Sequence, residues 1–141
     1  MSGDTARMPA EEEQVIRDAV DAWNERDIER LIALHHEDAA YVNPPDAVEP
    51  GTRRGHDEIR EVARKQWEFL GDASQRVERV HEGDGVIITE HTAVRRISGS
   101  GMPIENRLLV RWTIRDGLIE RLEALGGGSR FDEARREAGL D

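Results

Sequence analysis

Apolar residues recur at helical spacing through the first half of the chain and change to strand-like alternation in the second. Val15, Ala19, Ala22 and Trp23 repeat with a helical period, as do Ile16 and Val20, predicting an amphipathic helix from Pro9 to near Arg26. Pro9 suits a first helical position, and Glu11, Glu12 and Glu13 follow where the helix dipole favours negative charge. Asp27 is a cap for a second, shorter helix carrying Ile28, Leu31, Ile32 and Leu34. His35-His36-Glu37-Asp38 reads as the solvated end of that helix. Ala39 to Asn43 predicts a short edge strand, ended by Pro44 and Pro45, neither of which can donate to a ladder. Residues 44–55 read as a loop, either facing solvent or folded over a pocket. Ile59, Val62, Ala63, Trp67 and Leu70 line one side of a third helix over Gly55 to Leu70.

From Ser74 the pattern is that of strands: Gln75 to Glu82, Val86 to Ile97, Ile104 to Arg115 and Leu118 to Leu125. The third alternates clearly, with Ile104, Asn106, Leu108, Val110, Trp112 and Ile114 in one set. Glu82-Gly83-Asp84-Gly85, Ser98-Gly99-Ser100-Gly101 and Asp116-Gly117 are turn signals, the last a two-residue hairpin. Gly126-Gly127-Gly128 breaks the final strand, and Ser129 or Asp132 starts a short charged helix through Arg136. The order predicts one α+β domain over residues 9–141, with three N-terminal helices on one face of a curved antiparallel sheet. Residues 1–8 read as a disordered tail.

The totals narrow the function. Across 141 residues there are 30 acidic and 20 basic side chains, a formal net charge of -10. That argues against a general binder of phosphate backbones, which needs a basic face, and against attraction to anionic membranes. No apolar run approaches the ~20 residues of a membrane span. The N-terminal stretch lacks the apolar segment of a signal peptide, so a cytoplasmic location is the default expectation. With no cysteine there is no disulfide framework and no thiol nucleophile. The five histidines show no metal-ligand spacing and no glycine run has phosphate-loop spacing, so neither metal nor cofactor is expected.

The candidate chemistry centres on Tyr41 and Asn43. Two apart in an extended segment, they point to the same side and offer a phenol and an amide. His91 is a candidate base if the odd-numbered residues of its strand face inward; the apolar content of the two sets leaves the parity open. Asn106 interrupts an apolar set, so it either bonds the backbone or lines a polar patch of a pocket. Glu123 and Asp46 are the remaining candidate carboxylates for a cavity. Trp23, Trp67 and Trp112 are candidate walls for a flat apolar ligand.

Several runs together resemble the NTF2-like superfamily, the SnoaL-like or ketosteroid isomerase-like fold. They are Trp23-Asn24-Glu25-Arg26-Asp27, Leu34 through Asp38-Ala39, Asn43-Pro44, Gly55-His56-Asp57-Glu58-Ile59 and Asp116-Gly117-Leu118-Ile119. The resemblance covers roughly residues 10 to 136. It implies a cone with a hydrophobic pocket between sheet and helices, and a homodimer formed through the outer face of the sheet. It also favours His91 facing the pocket. The steroid isomerase mechanism does not carry over: its base and two oxyanion donors fall on Asn43, Ala19 and Val110. The nearer enzyme likeness is to limonene-epoxide hydrolases, where a tyrosine and an asparagine spaced like Tyr41 and Asn43 hold a water. That family's arginine falls on His91, and its two acid/base aspartates on Ala93 and Gly127. The expected function is a pocket for a small apolar molecule, with cofactor-independent hydrolase, isomerase or lyase chemistry by Tyr41, Asn43 and His91. The alternatives are a non-catalytic ligand-binding or accessory dimer, and a purely structural module.

Overall fold

The computed structural model describes residues 9–47, 49–83 and 85–140. The expected tail over residues 1–8 and Asp84 of the expected turn lie outside them. Helix α1 spans Pro9–Glu25 and α2 spans Ile28–Ala33. The run from Trp23 to Asp27 is a fastening point. Arg26 takes a φ of 58°, which stops α1, and the Asp27 carboxylate accepts from the Arg30 N–H to cap α2. Asn24 holds strand β3 (Ala73–Glu82) by bonding both the C=O and the N–H of Gln75, at 2.7 and 2.9 Å. The Arg26 guanidinium donates to the carbonyls of Trp67 and Gly71 at the end of α3 (Gly55–Leu70).

Strand β1 runs His35–Asn43, so His35-His36-Glu37-Asp38 is strand and not a solvated helix end. Tertiary pairing overrides the polar local sequence. His35 pairs with Ile119 of β6 (Leu118–Gly127), and its side chain is buried. Nor is β1 an edge. After the Pro44–Ala47 turn the chain returns as β2 (Gly51–Arg54), antiparallel to β1 with Tyr41 opposite Arg53. That four-residue polar strand is the actual edge. It has no alternation by which the sequence could announce it.

Strands β4 (Ile87–Arg96) and β5 (Pro103–Arg115) complete a six-stranded sheet of order β2-β1-β6-β5-β4-β3. Asp116 and Gly117, at φ 56° and 78°, form the left-handed pair that a two-residue hairpin requires. The hairpin gives one edge of β6 to β5. The other edge pairs with β1 in parallel, so the sheet is mixed and not wholly antiparallel.

Ile16, Ala19 and Ala22 of α1, Leu31 of α2, and Ala63 and Trp67 of α3 pack with Ile87, Val110, Trp112, Ile114 and Ile119 of the sheet. On the opposite face Ile88 and Leu109 pack with Phe131 and Ala134 of α4 (Phe131–Glu137). Helices therefore cover both faces. The outer one, where the resemblance implies a dimer contact, is occupied in part by α4. The glycine run does not end β6 until Gly127. A Cβ on Gly126 would stand 3.0 Å from the Ala134 Cβ, and one on Gly127 would stand 2.9 Å from the Arg107 carbonyl oxygen. The run lets α4 and β5 approach β6 closely.

Candidate functional site

The parity of β4 is settled by its contacts. Thr89 and His91 turn inward and bond Trp112 and Gln75, whereas Ile88 packs under α4 and Glu90 pairs with Arg135 and His81. The inward pair belongs to a directed chain of hydrogen bonds. The Trp112 indole N–H donates to Thr89 Oγ1 at 2.8 Å, and an indole can only donate. The Thr89 hydroxyl donates to His91 Nε2 at 2.5 Å. His91 Nδ1–H donates to Gln75 Oε1 at 2.7 Å. The imidazole also stacks on the Trp112 ring, with centroids 6.4 Å apart and planes 12° apart. Burial lowers the His91 pKa from 6.5 to about 4, so the ring is neutral near pH 7 and uses both nitrogens within this chain.

His91 faces an inner chamber of about 70 Å³, enclosed by α1, α2, α3 and the sheet. At ~10–15 Å³ per water, this space takes a few waters or the end of one ring. Its walls are mostly apolar, including Val20, Ile59, Val62 and Val110. Its polar side chains are His35, Tyr41, Gln66, Gln75, His91 and the edge of Trp112. Among the described residues no carboxylate, lysine or arginine lines it. An outer chamber of about 410 Å³ adjoins it and does carry charge, from Asp46, Glu49 and Arg95. Trp23, Tyr41, Gln66, Gln75, Leu108 and Ala124 line both spaces and form the neck between them.

Tyr41 is the phenol of this neck. Its hydroxyl lies 3.3 Å from Gln66 Oε1, to which it donates, and 3.2 Å from Gln66 Nε2, from which it accepts. Burial raises its pKa, so the proton stays on the oxygen. Asn43 is buried but lines only the outer chamber, where its Nδ2 donates to the Glu49 carbonyl at 2.8 Å. Tyr41, Asn43 and His91 thus each bond a different neighbour, and Tyr41 alone of the three reaches both spaces.

The other sequence-predicted residues divide. Trp23 and Trp112 wall the inner chamber. Trp67 lines neither chamber; it is core behind Trp23, with ring centroids 6.2 Å apart. Asn106 is exposed at the rim of the outer chamber, so it is not a buried amide in need of partners. Glu123 points to the outer face, because it alternates with Leu122 and Ala124, which face in. There it pairs with Arg111 at 3.5 Å and Arg121 at 3.4 Å. Asp46 stands at the outer chamber, 4.0 Å from Arg130. Ala93 and Gly127 also border that chamber and bring no carboxylate to it.

Three wall residues escaped the sequence reading. Gln66 follows Ile59, Val62 and Ala63 at helical spacing, an amide on an apolar stripe, and that was a usable signal. Gln75 shares inward parity with Ala73 and Val77, which a poorly alternating strand concealed. His35 was hidden by its polar neighbours. Its Nδ1 donates to the Leu31 carbonyl at 2.8 Å, which leaves Nε2 as the unprotonated nitrogen. That atom is buried without a hydrogen-bond partner, a state that costs ~1–3 kcal/mol when nothing answers it. Burial lowers this pKa too.

The sequence profile of the SnoaL-like domain matches residues 16–122. Among solved structures, TerC co-crystallised with polyporic acid is 23% identical at a TM-score of 0.74, covering 89% of this chain and 98% of that one. IdmH from Streptomyces antibioticus, described as a candidate polyketide cyclase, is 22% identical at a TM-score of 0.67, covering 90% and 97%. A Catenulispora acidiphila protein with a ketosteroid isomerase-like fold, in complex with trimethylamine, is 15% identical at a TM-score of 0.70, covering 90% and 93%. No curated protein matches the sequence. No helix among the described residues is long and apolar enough to cross a membrane.

Proposed function

The chain belongs to the SnoaL-like domain family, with its NTF2-like α+β fold, and on that footing we propose that it binds a small, largely apolar carbonyl compound and promotes its isomerisation or ring closure through neutral hydrogen-bond donors. The observation that carries this reading is the neck. Tyr41, Gln66 and Gln75 are shared by both chambers, and no charged side chain of the described residues lines the inner one. A carbonyl at the neck would take the Tyr41 proton donor in place of Gln66. Polarising the C=O acidifies the adjacent C–H, whose proton passes to solvent in the outer chamber; the enol so formed takes a proton back at another carbon in isomerisation, or bonds to a second carbonyl carbon of the same molecule, whose oxygen takes the proton, in ring closure. Ring closure is brought into view by IdmH, described as a candidate polyketide cyclase.

The roles expected from the sequence shift accordingly. Tyr41 is the catalytic donor. His91, with a pKa of about 4, is a weak base near pH 7; it is a positioning residue that holds the Gln75 amide. Asn43 shapes the outer wall. A second reading, binding without turnover, is favoured by one observation: Tyr41, Gln75 and His91 already have protein partners.

2-Tetralone, a bicyclic ketone, separates these readings. Binding is followed by tryptophan fluorescence, since Trp23 and Trp112 line the inner chamber, and enolisation by deuterium exchange at the carbon beside the carbonyl. The proposal expects binding and accelerated exchange, with exchange reduced on the order of 10²-fold in Tyr41→Phe. Binding without exchange supports the second reading, and absence of binding overturns both.

A further inference from the structure

We propose that His35 is a ligand-binding and specificity-determining residue of this pocket: its Nε2 accepts a hydrogen bond from a hydroxyl group, phenolic or enolic, on the bound molecule. The inference rests on the reading of the pocket as a small-molecule site and adds a requirement to it. Besides a carbonyl for the neck, the ligand brings an O–H to the inner chamber.

The Leu31 carbonyl takes the Nδ1 proton of His35 at 2.8 Å, so the lone pair is on Nε2. His35 lines the inner chamber and is 3% exposed. His35 stands in the chamber wall with Nδ1 bonded back to α2, and Nε2 is the ring nitrogen left without a bond there. Around it, Tyr41 is paired with Gln66, and His91 with Thr89 and Gln75. Nε2 has no hydrogen-bond partner, so it is the buried acceptor with capacity unspent. Buried acceptors without donors are uncommon in folded proteins.

The surroundings select the donor. The inner chamber has no carboxylate among the described residues to balance a cation, which disfavours an ammonium group. A neutral O–H on a flat apolar body fits the mostly apolar walls and the short reach of a space of about 70 Å³. The larger part of the molecule then lies in the outer chamber of about 410 Å³.

The test pairs 2-naphthol with 2-methoxynaphthalene, which has the same rings and cannot donate. Calorimetric titration of the wild-type protein is expected to show naphthol binding more tightly by on the order of tenfold. In His35→Phe that preference falls to within about twofold, while the ether keeps its affinity. Should this variant fail to fold, the wild type labelled with ¹⁵N-histidine decides. The unprotonated Nε2 signal of the Nδ1–H tautomer moves toward the protonated range with naphthol and stays with the ether. Equal binding of both compounds, an unmoved signal, or a preference that survives in His35→Phe overturns the role of His35 and leaves the pocket reading standing. Failure of both compounds to bind overturns the pocket reading and this inference with it.

Discussion

Glu90 and His91 are neighbours on β4 with 8% and 2% of their surfaces exposed, and the two faces of the sheet treat them in opposite ways. Outside, Glu90 meets Arg135 at 3.4 Å and His81 at 2.6 Å, and Arg111 and Glu123 continue the ion pairs across β5 and β6. Inside, His91 meets a hydroxyl, an amide and an indole ring. A buried charge persists only where an opposite charge or several donors answer it; otherwise the group gives up its charge. The outer face supplies the answering charges and the inner face does not. The chemistry of the chamber is therefore that of neutral groups, while the many charges of this acidic chain remain on its surface.

The sharpest way to break this contrast is to put a charge inside. His91→Asp would place a carboxylate where Thr89 and Gln75 cannot neutralise it, at an expected loss of ~3–5 kcal/mol. Glu90→Gln, one residue away, is expected to cost ~1–3 kcal/mol, the scale for an ion-pair partner left with a neutral amide. Urea unfolding of both variants measures the difference, and equal losses would erase the distinction between the faces.

Acid probes the inner face without mutation. The unfolded chain binds a proton at His91 near pH 6.5, while the folded one resists until about pH 4. Stability contributed by neutral His91 is thus complete above pH 6.5 and is lost as the pH falls to about 4, by about 3 kcal/mol. His35, also lowered by burial, acts in the same direction. His91→Gln should flatten this acid limb relative to wild type. Parallel curves for the two proteins would mean that the acid sensitivity comes from elsewhere.

The smallest effect compares two threonines on the same strand. Thr89→Val strands the Trp112 indole N–H and the His91 lone pair together and is expected to cost ~1–3 kcal/mol. Thr92→Val removes a hydroxyl from the outer face beside the exposed Glu78 carboxylate, where water can take its place, and is expected to cost less. Thermal midpoints rank the pair, and a reversed order would shift the polar load to the outer face.

Much of the frame was legible because local signals agreed with the fold. Helix α3 has the boundaries its apolar stripe predicts, and the Asp116-Gly117 hairpin forms where the dipeptide predicts it. What the sequence concealed depends on non-local pairing. The helix-like polar run at His35 becomes strand because Ile119, far along the chain, pairs with it. β2 carries no periodicity, and α4 crosses to the other face because Gly126 allows it close. At the site, Tyr41, Trp23, Trp112 and an inward His91 were legible from spacing and resemblance. The neck was less so: Gln66 and Gln75 come from an apolar helix face and an irregular strand, and only the folded chain brings them beside Tyr41.

Gly127 shows how backbone spacing constrains what this cavity can become. The first carbon of any side chain placed there meets the Arg107 carbonyl at 2.9 Å. Placing a carboxylate at that rim position would require β5 and β6 to part locally. Ala93 already has its Cβ in place beside the same opening. A further carboxylate beside Asp46 and Glu49 would therefore be accepted more readily at 93 than at 127.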